Sequence, residues 1–77
     1  MKKLFIVTIR NEHEATCSIE TFYSEHKACN HIFERIGYDI QPDVDQTLVS
    51  FVSQYYEWLN TEERDCEVHI NYEIVNL

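Results

Sequence analysis

Apolar residues near the start of the chain occupy both of the alternating sets of positions. In the segment 3–10, one set holds Leu4, Ile6 and Thr8, and the other holds Phe5, Val7 and Ile9. A strand that is apolar on both sides is usually covered on both faces, so this pattern predicts a central strand. Polar residues 11–14 form a break of hairpin length. Residues 15–22 then alternate, with Ala15, Cys17 and Ile19 as the apolar set, and predict a half-buried strand antiparallel to the first.

Helical spacing of apolar residues follows this predicted hairpin. Ser24 is a suitable N-cap, because its hydroxyl can accept a hydrogen bond from an amide of the first turn. Apolar residues recur along one stripe from Ala28 to Ile36. Gly37, the only glycine, stands where a left-handed C-terminal cap is favoured. The pattern predicts a first helix over residues 25–36, followed by a connector over 38–42.

A second helix is predicted to end near Asn60. Asp43 and Asp45 are both candidate N-caps for it. Its main apolar line has helical spacing and consists of Leu48, Val52, Tyr55 and Leu59. Phe51 and Trp58 stand beside that line, so the helix is apolar over more than one stripe.

The last segment, residues 66–75, alternates again and predicts a third strand. Its inward set is Cys66, Val68, Ile70, Tyr72 and Ile74. The element order is therefore β-β-α-α-β. The simplest packing is a two-layer α+β sandwich, with a three-stranded, mainly antiparallel sheet, the first strand in its centre and both helices on one face. At 77 residues the chain is expected to form a single domain, 1–77.

The charge balance argues against several classes of function. Six Lys and Arg stand against fourteen Asp and Glu, which gives a net charge of −8. The basic residues are scattered, whereas phosphate binding requires clustered ones, so direct binding of nucleic acid or of an anionic membrane surface is not expected. The longest apolar run near the start, residues 4–7, is too short for a signal peptide or a membrane span. We expect a protein that starts at Met1 and stays in the cytoplasm.

No motif in the chain indicates catalysis, a metal site or a cofactor. Cys17, Cys29 and Cys66 occupy apolar-pattern positions and are expected to be buried free thiols. His13 and Cys17 have the spacing of a zinc-protease helix, but here that spacing crosses from a turn into a strand. Cys66 and His69 would point to opposite faces of a strand. Glycine-rich turns that could bind phosphate or an oxyanion do not occur in this sequence.

The aromatic residues of the second helix, together with the acidic turn after it, form the best candidate binding surface. Tyr56 and Trp58 lie well apart on the helix, so at least one is expected to be partly exposed, and the sequence leaves open which. Exposed Tyr and Trp are typical interface anchors. The candidate protein-binding residues are Tyr56, Glu57, Trp58, Glu62, Glu63, Asp65 and Glu67.

The sheet face away from the helices is a second candidate surface. If Phe5, Val7 and Ile9 project from that face, they form an apolar stripe that invites covering. The covering partner would be a second copy of the chain, giving a homodimer, or another protein.

In size, charge and element order the chain resembles the small inhibitors that phages and mobile elements encode against CRISPR or restriction systems. The features concerned run from the opening Met1-Lys2-Lys3-Leu4-Phe5-Ile6-Val7 to the acidic turn Glu62-Glu63-Arg64-Asp65. The resemblance implies an acidic protein that blocks the basic, nucleic-acid-binding surface of a nuclease or CRISPR-type effector in the host cytoplasm. The alternative is a cytosolic regulatory or antitoxin-like accessory subunit without catalytic activity.

Overall fold

The computed structural model describes residues 2–36, 40–62 and 67–77. Its elements are β1 (Lys3–Asn11), β2 (Thr16–Phe22), α1 (Glu25–Ile36), α2 (Leu48–Thr61) and β3 (Val68–Asn76). The strands form one antiparallel sheet in the order β2-β1-β3. The predicted β-β-α-α-β order, the α+β class and the central position of β1 are confirmed.

The helix-covered face of β1 carries Phe5, Val7 and Ile9, the set predicted for the open face. Phe5, Val7 and Ile9 are only 4%, 0% and 5% exposed, and they share one core with Ile32 of α1 and Phe51 of α2. The prediction of a dimer face at Phe5, Val7 and Ile9 is therefore wrong. Because β1 is apolar on both sides, its own pattern does not determine which side the helices cover.

The exposed face of β2 also differs from the prediction. Cys17 and Ile19 pair with Arg10 and Thr8, so they lie on the side of the sheet away from the helices. Ile19 is 66% exposed and Cys17 is an exposed free thiol. The residue of β2 that packs against the core is Phe22, which pairs with Phe5. The prediction that Cys17 is buried is wrong, because the inward set of this strand includes the polar residues between Cys17 and Phe22.

Side-chain caps fix where both helices begin. The Ser24 hydroxyl accepts a hydrogen bond from the Lys27 amide at 3.3 Å, as predicted for α1. The N-cap of α2 is Thr47, whose hydroxyl accepts from the Ser50 amide at 3.1 Å. Asp43 and Asp45 lie in the segment before this cap, so the N-cap prediction at those two residues is wrong.

The two helices are joined at their N-terminal ends by a carboxylate. Glu25 Oε2 accepts a hydrogen bond from the Leu48 amide at 2.8 Å, although Glu25 belongs to α1 and Leu48 to α2. The first turn of α2 contains no acidic residue of its own. Glu25 therefore supplies the negative charge that the N-terminal end of a helix favours, and it holds the starts of both helices together.

Burial of Cys29 in the first half of α1 confirms the prediction for that thiol. Cys29 has no exposed surface, and its Sγ lies 3.9 Å from the Gln46 carbonyl oxygen. Desolvation, followed by the charge of Glu25, raises the pKa of the Cys29 thiol to about 11. The predictions for Cys66 and for the Gly37 cap lie outside the described residues.

The different surroundings of Cys17 and Cys29 predict different reactivities. In the folded chain near pH 8, iodoacetamide should modify Cys17 at least about ten times faster than Cys29, because Cys29 is both inaccessible and protonated. Peptide mapping by mass spectrometry resolves the two sites, and the urea-unfolded chain is the control in which both react. Equal labelling rates in the folded chain would contradict the assignment of the two thiols.

Candidate functional site

Two tyrosine hydroxyls of α2 bind the outer edge of β3. The Tyr56 hydroxyl accepts a hydrogen bond from the Ile70 amide at 2.8 Å and lies 3.3 Å from the Ile70 carbonyl oxygen, to which it can donate. The Tyr55 hydroxyl donates to the Val68 carbonyl oxygen at 3.2 Å. An unpaired strand edge is a template for another strand. These hydroxyls close the first half of the β3 edge.

The aromatic rings of α2 form one packed group on this side of the molecule. The ring centroids of Tyr55 and Tyr56 are 5.2 Å apart, and those of Tyr55 and Trp58 are 6.3 Å apart. Tyr55 is buried, whereas Tyr56 and Trp58 are both partly buried against the core. The expectation that at least one of Tyr56 and Trp58 is partly exposed is confirmed, and it holds for both of them.

One end of the fold collects exposed carboxylates from four separate parts of the chain. We call it the acidic end. It includes the β1–β2 turn, the last turns of both helices and the residue before β3, because β1 and both helices run toward it. The exposed carboxylates there are Glu12, Glu14, Glu34, Glu62 and Glu67. Glu14, Glu34 and Val68 line one shallow groove, and the Glu12 amide donates to the Glu67 carbonyl oxygen at 2.9 Å.

Most of this negative charge is not neutralised locally. Among the described residues, Glu12 is the only carboxylate with an ion pair: its Oε1 lies 3.6 Å from Arg10 Nη2 and 3.2 Å from His69 Nε2. Arg35 lines the groove shared by Glu14 and Glu34. The C-terminal ends of α1 and α2 add the negative ends of two helix dipoles to this part of the molecule.

The structure brings together part of the surface expected from the sequence. Glu62 and Glu67 are exposed at the acidic end, and Glu57 is exposed on α2. Glu63 and Asp65 lie outside the described residues. Glu12, Glu14 and Glu34 also belong to this surface and are not among the residues predicted for it. The signal for them was the topology: in the order β-β-α-α-β with antiparallel strands, a hairpin turn and both helix C-termini share an end with the start of the last strand.

The opposite end of the fold has the other sign of charge close to a cleft. This cleft of about 680 Å³ is lined by Lys2, Lys3, Phe5, Tyr23, Glu25 and Leu77. In the part of the chain that the structure describes, no group of three or more His, Cys, Asp or Glu side chains is arranged to hold a metal ion. Within the same residues, no helix is both long enough and apolar enough to cross a bilayer.

Comparison of the chain with protein-family models, with curated proteins and with solved structures gives no match.

Removing the Tyr56 hydroxyl tests its contribution to the β3 edge. Tyr56→Phe should lower the free energy of unfolding by about 1 kcal/mol, because the Ile70 amide and carbonyl lose a shared partner while the ring stays in place. Urea denaturation monitored by circular dichroism measures the change.

Tyr72→Phe is the matched control for this variant. Tyr72 lies on β3, two residues beyond Ile70, and its hydroxyl has no hydrogen-bond partner among the described residues. Its loss should change the free energy of unfolding by less than about 0.5 kcal/mol. Equal effects of the two substitutions would show that the Tyr56 contacts add no stability.

Proposed function

We propose that the protein is an acidic inhibitor that binds the basic, nucleic-acid-binding surface of a nuclease or CRISPR-type effector and prevents nucleic acid from entering. The observation that carries the proposal is the acidic end, where exposed carboxylates from four parts of the chain gather and most have no ion pair among the described residues. The net charge of −8 on 77 residues has the same sign. Its site of action would be the cytoplasm of the host cell.

Long-range electrostatic attraction supports this kind of partner. A surface with one sign of charge raises the rate of encounter with an oppositely charged surface, and proteins that bind DNA or RNA carry basic surfaces by necessity. Carboxylates that are already ion-paired contribute little to such a field. Glu14, Glu34, Glu62 and Glu67 are exposed and free of ion pairs among the described residues, so they are available to a basic partner.

Short-range contacts would come from the neighbouring aromatic group on α2. Trp58 is partly buried, so one part of its ring is fixed against the core while another remains accessible. Fixed aromatic rings with an accessible face are typical of energetically important interface residues. We therefore propose Trp58, Tyr56 and Glu57 as contacts beside the acidic end, with Glu62, Glu63, Asp65 and Glu67 supplying charge.

Charge substitutions at two different places separate steering by the acidic end from an effect of net charge. One variant neutralises the acidic end by the substitutions Glu14→Gln, Glu34→Gln, Glu62→Gln and Glu67→Gln. The control removes as many exposed carboxylates elsewhere, by Glu20→Gln, Asp43→Gln, Asp45→Gln and Glu73→Gln. Both variants should stay folded, because exposed substitutions usually change stability little.

The two variants are tested against purified restriction nucleases and RNA-guided effector complexes, with DNA cleavage and the association rate as the measurements. For an effector that the unchanged protein inhibits, the first variant should lower the association rate by about tenfold or more, and the control by much less. The rate for the unchanged protein should also fall from low to physiological salt. Equal losses in the two variants, or inhibition of no effector in the panel, would contradict the proposal. Capture of a metabolic enzyme from host lysate would favour a regulatory subunit instead.

A further inference from the structure

No described residue pairs with the outer edge of β2. The pairing of Glu12 with Glu67 and of Leu77 with Lys2 shows that even-numbered residues of β1 hydrogen-bond to β3. In an antiparallel sheet the bonding direction alternates from residue to residue, so the odd-numbered residues of β1 bond to their β2 partners. The amides and carbonyls of the residues between those partners then point outward from β2. These residues are Cys17, Ile19 and Thr21.

The two edges of the sheet differ in how they are protected. At the β3 edge, the Tyr55 and Tyr56 hydroxyls occupy outward groups of Val68 and Ile70. At the β2 edge, no described residue bonds to the outward backbone groups of Cys17, Ile19 or Thr21, and all three residues are exposed. Natural proteins protect such an edge with charged residues, above all lysine, or with proline or a bulge. β2 has no lysine, proline or bulge, and its one charged residue is Glu20, which lies opposite Val7 on the helix-covered side of the sheet.

We propose that a second copy of the chain pairs along the β2 edge, antiparallel and about a two-fold axis at Ile19, to give a continuous six-stranded sheet. In this register Ile19 faces Ile19 of the other copy. Cys17 of each copy faces Thr21 of the other. Each facing pair exchanges two backbone hydrogen bonds, which gives about six in all. A two-fold axis requires the surface to match itself, and this register satisfies that requirement.

The charges along β2 oppose this register at one point and favour it at the ends of the strand. Glu20, the only charged residue of the strand, lies opposite Ser18 of the other copy, and the two Glu20 side chains are diagonal neighbours on the same face, about 7–8 Å apart. The β1–β2 turn, with Glu14, comes beside residues 23–24 of the other copy, immediately before its α1. The start of that helix carries Glu25, but three lysines lie at the same end of the fold: the exposed Lys27 in the first turn, and Lys2 and Lys3 beside Tyr23. The acidic turn of each copy thus meets a positive region of the other.

The same register covers the most exposed apolar side chain of the strand. Ile19 is 66% exposed and lies on the open face of the sheet, diagonal to the partly buried Ile6 of β1. Pairing at the two-fold axis places both Ile19 side chains in contact and joins the open faces of the two copies. One strand pair buries less than a standard interface, so we expect a weak dimer with a dissociation constant on the order of 100 μM.

The oligomeric state of the full chain tests the proposal directly. Sedimentation velocity from about 10 μM to about 1 mM should show conversion from monomer to dimer. Ile19→Lys places two like charges opposite each other at the axis and should weaken the dimer at least about tenfold. Thr21→Lys adds the same charge on the same exposed edge, but opposite Cys17, and should weaken the dimer much less. Circular dichroism confirms that both variants keep the fold.

Cross-linking tests the register. In a Cys17→Ser background, oxidation of Ile19→Cys should link two copies, because facing hydrogen-bonded residues lie about 5.5 Å apart between Cα atoms. Thr21→Cys in the same background should not link. Residue 21 of one copy faces residue 17 of the other, so the two cysteines at position 21 are offset by four residues, about 13 Å. The Cys17→Ser protein without a further change measures any linkage through the other cysteines.

A dimer that Ile19→Lys disrupts and Thr21→Lys spares, with cross-links at position 19 alone, supports the proposal. A monomer at every concentration overturns it, even if a foreign strand binds at β2. A dimer that persists in Ile19→Lys, or equal cross-linking at both positions, also overturns it, because association then uses another surface. These results do not depend on inhibition of any nuclease, so this inference and the proposed function can fail separately.

Discussion

The packing of β1 is the constraint on which the positions of the other elements depend. Its residues are apolar on both sides, and it pairs along both of its edges, with β2 and with β3. The helices cover the side that carries Phe5, Val7 and Ile9. The hydrogen bond from the Leu48 amide to Glu25 holds the starts of these helices together, so that both run toward the same end of the sheet. The acidic end results from that shared direction.

A central strand leaves two edge strands, and in this sheet the backbone groups of the two edges differ in whether side chains bond to them. Tyr55 and Tyr56 occupy the core side of α2 and its flank, and their hydroxyls satisfy backbone groups of β3 that would otherwise be available to another strand. One helix thus contributes both to the core and to the protection of an edge. No described side chain satisfies the outward backbone groups of β2 in this way. Both proposals follow from this arrangement: the acidic end is open to a basic partner, and the β2 edge is open to a second copy.

The element order and most element positions could be predicted from the sequence because they depend on local periodicity and capping. The predicted and observed bounds of α1 agree, and Ser24 caps it as expected. The orientation of β1 and β2 could not be predicted in the same way. A strand that is apolar on both sides contains no local signal for its covered face, and the alternation of β2 was too weak to reveal that Phe22, rather than Cys17, packs inward.

The candidate surface was predictable only in part, for a related reason. Glu62 and Glu67 could be recognised because they flank one turn of the sequence, whereas Glu14 and Glu34 join them only through the tertiary fold. The start of α2 was misplaced because Asp43 and Asp45 are good capping residues by composition, yet the cap belongs to Thr47 and the charge comes from Glu25 of the other helix. The contacts of the Tyr55 and Tyr56 hydroxyls with β3 join residues 13 and 14 positions apart in sequence and have no local signature at all.

Hydrogen exchange of individual amides tests most directly the claim that the two edges differ. The Ile70 amide donates to the Tyr56 hydroxyl, whereas the Ile19 amide points outward without a partner among the described residues. In dilute protein, at concentrations where the chain is monomeric, nuclear magnetic resonance should show Ile70 exchanging at least about tenfold more slowly than Ile19, after correction for their intrinsic rates. If the two amides exchange equally fast, the β3 edge is not closed by α2 and the asymmetry of the sheet is contradicted.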